Sequence, residues 1–187
     1  MNVYDFDGTL YRGDSTADFL QWCVRRHPRA SFALPRAGVA AGACFGLHAI
    51  DKTQFKRALY RFLRNVPDVE REVERFWTSH EGRIGGPCHP LAGDVVISAS
   101  PEFLLRGPCS RRRLQLIASR VDPVSGRVLG PNCSGAEKVL RFRASFGDAP
   151  VEDFYSDSLG DAPMAGLAGH AFLVDISHER VEPWPAG

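Results

Sequence analysis

One short apolar segment, then a block that is helical throughout, and only then a strand–helix alternation: this order most limits how the chain can fold. Asn2 to Phe6 reads as a buried strand, broken at Asp7-Gly8-Thr9 by the glycine. From Asp18 to Glu81 the period is helical. Phe55, Leu59, Phe62, Leu63 and Val66 share one helical face, and Val69, Val73, Phe76 and Trp77 repeat the pattern after the helix-starting pair Pro67-Asp68. Gly82, Gly85, Gly86, Pro87 and Pro90 close the block. Val95-Val96-Ile97 is then a β-branched strand of buried type, with a helix expected over Pro101 to Arg106. Leu116 to Val121 and Arg127 to Leu129 flank Asp122-Pro123-Val124-Ser125-Gly126 as a hairpin. Gly135 to Phe146 reads as a helix, Phe154-Tyr155 ends a strand, Ala162 to Ala168 is helical, and Ala171 to Val174 is a last buried strand. The pattern predicts an α/β core, residues 1–13 and 82–187, carrying a helical cap over residues 14–81.

Composition removes several alternatives. At 187 residues the chain suits about one domain, and 44% hydrophobic with 24% charged residues is an ordinary globular balance. A net charge of +1 gives no global attraction for nucleic acid. Cys23, Cys44, Cys88, Cys109 and Cys133 form no CxxC pair, which points away from a zinc knuckle or disulfide framework and toward a reducing, cytoplasmic setting. Val3-Tyr4-Asp5-Phe6-Asp7 is too acidic and short for a signal-peptide core. The six histidines show no metal-ligand spacing. Gly38, Gly42 and Gly46 leave one helix face nearly bare within the apolar run Ala37 to Ile50, which is too short to span a bilayer. Tight packing inside the cap is the favoured reading of that face. Membrane contact, with Arg25, Arg26 and Arg29 at anionic headgroups, is the lesser one. Arg111-Arg112-Arg113 reads as a solvated turn.

In open α/β sheets, ligands bind beyond the carboxyl ends of the strands. Those ends carry Asp5 and Asp7, Ser98, and Asp157 and Asp161, with Lys138 near the start of its helix. Carboxylates brought this close repel one another unless a cation intervenes, and hard oxygen ligands suit Mg²⁺. A carboxylate can attack phosphorus to give an aspartyl-phosphate, provided it is ionised; Mg²⁺ and Lys138 are expected to keep its pKa low. The leaving oxygen needs a proton, which Asp7, two residues on, can supply. Backbone N–H groups around Gly8 and Thr9, the Ser98 hydroxyl and the Lys138 ammonium are the expected donors to phosphoryl oxygens.

Asp5-Phe6-Asp7-Gly8-Thr9-Leu10, Val95-Val96-Ile97-Ser98, Lys138 in Gly135-Ala136-Glu137-Lys138, and Asp157-Ser158-Leu159-Gly160-Asp161 resemble, in order, the four motifs of the haloacid-dehalogenase-like phosphohydrolases. The helical insertion resembles the cap of the phosphoserine-phosphatase-like branch. The resemblance implies a Rossmann-like core, Asp5 as nucleophile and Asp7 as acid/base. It implies phosphate held by Ser98, Ala99, Gly8, Thr9 and Lys138, and Mg²⁺ bound by Asp5, the Asp7 carbonyl and Asp157 with support from Asp161. A small phosphorylated metabolite is the implied substrate. Ala99-Ser100 replaces the usual Gly-Gly after the second motif, with Ser100 a rival to Ser98; Asp14 stands where phosphoserine phosphatases carry a glutamate; and Gly160 replaces a frequent Asn or Ser. Arg57, Arg61 and Arg64 are the candidate cap cations. The alternatives are a lipid-phosphate phosphatase of the phosphatidylglycerophosphatase kind and, from another class, a phosphoacceptor signalling module without turnover. Dehalogenation is disfavoured because it would leave Asp7 idle.

Overall fold

The computed structural model describes residues 1–46 and 52–185. Its centre is a six-stranded sheet of order β3-β2-β1-β4-β5-β6, formed by β1 (Val3–Tyr4), β2 (Val95–Pro101), β3 (Gln115–Ser119), β4 (Val151–Ser156), β5 (Ala168–Asp175) and β6 (Arg180–Pro183). The first five run parallel, and β6 returns antiparallel on β5. β1 lies between β2 and β4: Val3 faces Val95 and Phe154, and Tyr4 faces Val96 and Tyr155. The chain therefore builds one half of the sheet through β2 and β3 and the other through β4 and β5. The carboxyl ends of β1, β2 and β4 meet where the strand order reverses, the position at which such sheets hold ligands.

Among the described residues, four α-helices separate β1 from β2: α1 (Ser15–Arg26), α2 (Leu34–Ala41), α3 (Lys52–Leu59) and α4 (Val69–His80). Asp14 caps α1 by accepting from the Ala17 N–H at 2.9 Å, and Asp68 caps α4 from the Arg71 N–H at 3.0 Å. The remaining helices, α5 (Glu102–Arg111), α6 (Ala136–Phe146) and α7 (Ala162–Ala165), follow β2, β3 and β4.

The α1–α4 insertion has no separate core. Phe19, Cys23, Tyr60, Phe62, Phe76 and Trp77 belong to the same buried cluster as Tyr4, Phe6, Val96 and Leu104 from the sheet and α5. Phe76 packs edge-on to Phe19 and Trp77, and the Trp77 indole N–H donates to the Leu104 carbonyl at 2.7 Å. Glu72, 4% exposed, ties the insertion internally. It accepts from the Trp22 indole at 2.9 Å and pairs with Arg26 at 2.9 Å, Arg75 at 3.0 Å and His27 at 3.4 Å. The turn at Asp122–Gly126 fastens the far side of the insertion. Gly126 has φ +66°, and a Cβ there would fall 2.0 Å from the Tyr60 carbonyl, so only glycine fits; Arg64 also donates to the Ser125 carbonyl at 2.8 Å.

Several expectations are corrected. The first arm of the expected hairpin is β3, paired in parallel with β2, and only Val121 and Val128 bridge antiparallel. The helix expected over Ala162 to Ala168 stops at Gly166, and β5 begins at Ala168. The expected last strand is followed by β6, whose residues are all exposed and so lack a buried-strand signature. Gly38, Gly42 and Gly46 do not mark a tight helix contact, since a Cβ at each would meet nothing within 4 Å. Residues 47–50, the end of that apolar run, lie outside the described residues. Among the described residues, no helix is long and apolar enough to cross a membrane. All five cysteines are free and buried.

Candidate active site

Asp5 follows β1 directly, with its N–H held by the Tyr155 carbonyl at 2.8 Å, so adjacent strands fix its backbone. Its Oδ1 accepts from the Phe6 N–H at 2.8 Å and lies 3.1 Å from Lys138 Nζ. Lys138, 1% exposed, reaches in from the first turns of α6 and also pairs with Asp161 Oδ2 at 2.6 Å. Asp161 is well held: its Oδ2 further accepts from Ser156 Oγ at 2.9 Å and its Oδ1 from the Gly135 N–H at 3.3 Å. Its place is to hold the lysine against Asp5, which fits a supporting role beside the expected metal ligands.

Asp7 turns the other way. Its Oδ1 accepts from the Ser15 N–H at 2.7 Å, and its Oδ2 from the Ser100 hydroxyl in a short hydrogen bond. Thr16 Oγ1 lies 2.9 Å behind Ser100 Oγ, within a buried group of hydroxyls. β2 shifts register between Ser98 and Pro101, and this irregularity places Ser98, Ala99 and Ser100 together at the strand end. Ser98 Oγ accepts from the Ser100 N–H at 3.1 Å. The two serines thus divide the duties for which they seemed rivals: Ser98 lines the cleft beside Asp5, whereas Ser100 binds Asp7.

Gly8 and Thr9 do not present their N–H groups as expected. The turn consumes them: Gly8 N–H donates to the carbonyls of Tyr11 at 3.0 Å and Gly13 at 3.1 Å, and Thr9 N–H to Phe6 at 3.3 Å. Thr9 is fully buried, and its hydroxyl has no partner among the described residues. Gly8 matters for space instead. Its φ is +71°, and a Cβ would fall 2.1 Å from Asp157 Oδ2, so the Asp157 carboxylate lies hard against the β1 turn.

The cleft above these groups encloses about 600 Å³ and is lined by Asp5, Asp7, Asp14, Ser98, Asp157 and, from α3, Phe55, Lys56 and Leu59. An adjoining cavity of about 380 Å³ shares Asp5 and Lys56 and reaches Lys138 and Asp161. Lys56 is the cation that the helical insertion sends into the cleft, and its ammonium donates to the Ala99 carbonyl in a short hydrogen bond. Arg57, Arg61 and Arg64, the arginines expected in this role, are all exposed and line neither cavity. No motif marks Lys56; the available signal was its place one residue past Phe55 on the apolar face of a helical segment.

Burial dominates the electrostatics. It pushes the Asp5 carboxyl up to about 7, against the pull of Lys138 and the Phe6 N–H, with Asp161 and Asp7 adding to the rise. Lys138 pulls this pKa down, as expected, but one ammonium already shared with Asp161 does not by itself outweigh the desolvation. Burial and the nearby Asp14 push Asp7 up to about 6, opposed by its bonds to Ser100 and Ser15. Burial likewise raises Asp157. It lowers Lys56 to about 8, with Asp7 and Asp14 pulling the other way.

A buried carboxylate held by an ammonium, with a second carboxyl on a separate hydrogen-bonded arm and both at a sheet switch point, defines a hydrolase-type site of the α/β class. A sequence model of haloacid dehalogenase-like hydrolases matches residues 3–166, and the chain belongs to that family. It is 31% identical to the protein CicA of Caulobacter vibrioides over 89% of this chain and 82% of that protein. A protein of unknown function from Bordetella pertussis Tohama I shares the fold, with a TM-score of 0.73 at 18% identity over 91% of this chain and 87% of that one. A phospho-aspartyl intermediate analogue of phosphoserine phosphatase has a TM-score of 0.55 at 16% identity, over 90% of this chain and 83% of the other.

Proposed function

We propose that the protein is a Mg²⁺-dependent phosphomonoester hydrolase working through an aspartyl-phosphate on Asp5, with residues 14–81 as the cap over the cleft. The observation that carries this reading is the placement of Lys138 Nζ, 3.1 Å from Asp5 and 2.6 Å from Asp161, across a cleft from an independently held Asp7. Residue chemistry suits a hard cation. Asp5 is a largely enclosed carboxylate and Asp157 an exposed one at the cleft rim, both with pKa raised by desolvation, and with the Asp7 carbonyl they make the small oxygen set that Mg²⁺ takes beside waters and substrate phosphate. Bound there, Mg²⁺ would neutralise phosphoryl charge and favour ionised Asp5.

In the first step an Asp5 carboxylate oxygen forms a bond to phosphorus as the bond to the leaving oxygen breaks, and Asp7 gives that oxygen its proton. In the second, water attacks the phosphorus, Asp7 takes the water's proton, the Asp5–phosphorus bond breaks and inorganic phosphate leaves. Ser98 and Lys138 hold the phosphoryl oxygens. Lys56 faces the remainder of the substrate, which supports a small phosphomonoester carrying a second anionic group. Asp14 spends one oxygen on the N-terminus of α1 and so is less free than a dedicated ammonium partner would be.

Steady turnover of para-nitrophenyl phosphate with Mg²⁺, and its loss on chelation, tests the reading. A single round of labelling would instead indicate a phosphoacceptor module. Asp5→Asn should lower the rate by about 10⁴-fold or more with thermal unfolding unchanged; near-normal turnover by that variant would reject the nucleophile.

A further inference from the structure

The insertion carries a lopsided charge of which the hydrolytic reading uses only Lys56. Between Phe19 and Pro67 the chain has Arg25, Arg26, Arg29, Arg36, Lys52, Lys56, Arg57, Arg61 and Arg64 against one carboxylate, Asp51, in a protein whose net charge is +1. All seven of these arginines are exposed. Arg26 pairs with Glu72, but Arg25, Arg29 and Arg36 enter no ion pair among the described residues. Large apolar side chains stand in the same segment: Phe32 and Val39 are each 76% exposed and Leu34 is 38% exposed. Phe32 lies three residues after Arg29 in the 3₁₀ turn Pro28–Ala33, where such pairs eclipse, and Val39 lies three after Arg36 on α2, on a shared face. Phe32 and Val39 thus each have beside them an arginine without an ion pair among the described residues. The open space at Gly38 and Gly42 continues the same surface.

We propose that this face, from Pro28 through α2, docks on an anionic lipid surface. Apolar side chains would enter the headgroup boundary while the arginines meet lipid phosphates, the division of labour of an interfacial amphipathic segment. Charge argues against a second copy as the occupant. A twofold contact would set this face against itself and bring the same unpaired arginines together with no carboxylate to relieve them. An apolar protein groove would satisfy Phe32 and Val39 but leave the cations unused.

Co-sedimentation with vesicles tests the proposal without any turnover, so failure of the hydrolytic reading would leave its result standing. Wild-type protein should pellet with vesicles of equal phosphatidylglycerol and phosphatidylcholine at about 0.1 M NaCl. Binding should fall about tenfold or more on pure phosphatidylcholine, and similarly at about 0.5 M NaCl. Phe32→Ser/Val39→Ser and Arg29→Gln/Arg36→Gln should each lose about fivefold or more of the binding, while hydrolysis of a soluble aryl phosphate and the unfolding temperature stay near wild type. Absence of wild-type binding to the anionic vesicles, or undiminished binding by both variants, would overturn the proposal. So would wild-type dimerisation that the apolar variant abolishes without any vesicle binding.

Discussion

The sheet end and the helical insertion meet at one cleft but are built by different physics. On the sheet side, apart from the exposed Asp157, the charged groups are enclosed and held: Lys138 between Asp5 and Asp161, Asp161 by Ser156 and Gly135, and Asp7 by Ser15 and Ser100. From α3 of the insertion the cleft receives a partly buried cation, Lys56, and the apolar Phe55 and Leu59. The first arrangement tolerates no missing partner, because an unpaired buried charge costs several kcal/mol. The second can change side chains without disturbing the charges below. The contrast assigns chemistry to the sheet end and selectivity to the insertion, and each prediction below can break that division.

After loss of the nucleophile, the largest effect belongs to the acid. Asp7→Asn should slow alkyl phosphates by about 10³-fold, because Asn has no proton of suitable acidity to give. Aryl phosphates, whose leaving group departs as a stable anion, should lose far less. Equal losses in a steady-state comparison of the two substrate types would remove proton donation from Asp7.

The next effect concerns stability and lies entirely within the insertion. Glu72→Ala would strand Arg26, Arg75 and the Trp22 indole around an emptied site, at a cost of about 3 kcal/mol by urea unfolding. Burial alone would raise the Glu72 pKa, but the Trp22 and Arg75 hydrogen bonds, Arg26 and His27 outweigh it and leave the pKa lowered. The sign follows directly: a carboxyl depressed in the folded state stabilises above its unfolded pKa, and that contribution disappears as pH falls through the lower folded value. Wild type should therefore lose stability on acidification through that window, and the Glu72→Ala variant should lose less. Residual turnover per folded molecule near wild type would fit the division; a large loss would tie the insertion to the chemistry.

Lys56 should matter about tenfold, in KM and not in kcat. Its pKa near 8 sets the direction: above that pH the ammonium loses its proton, and KM for a substrate with a second anionic group should climb. Lys56→Ala should raise KM at all pH values and flatten the climb, whereas Lys56→Arg should keep KM low through alkaline pH. A fall in kcat with KM unchanged would move Lys56 to the chemical step.

How much of this was readable without coordinates follows the same division. The strand-end acids, Lys138 and the α/β order stand in local motifs at fixed points of an alternating pattern, and the fold and the meeting of Asp5 with Lys138 agree with them. What escaped depended on three-dimensional detail. Gly8 and Thr9 sit inside a motif, yet a turn closing on Phe6, Tyr11 and Gly13 spends their N–H groups. Asp161 belongs to the acidic set, yet its three donors show it fixing Lys138 from behind. Lys56 was hidden among exposed cap arginines because helical period identifies a face and not the cavity it meets. β6 was hidden because an exposed edge strand has no apolar pattern to show.

Ser100 gives the smallest and sharpest test, since it stands on the sheet side but acts only through another residue. The β2 irregularity delivers its hydroxyl to Asp7 Oδ2, and Thr16 Oγ1 at 2.9 Å supports it from behind. Ser100→Ala removes one of two hydrogen bonds fixing the acid and leaves the Ser15 N–H as the other. A freed carboxyl samples more orientations, so proton delivery to an alkyl leaving group should fall about fivefold. Aryl phosphate turnover and KM should hardly move, and Ser100→Thr, which restores a hydroxyl, should recover most of the loss. If Ser100→Ala instead slowed both substrate types equally, the hydroxyl would be supporting the nucleophile's side of the cleft, and the separation of Asp5 and Asp7 into independently held arms would fail.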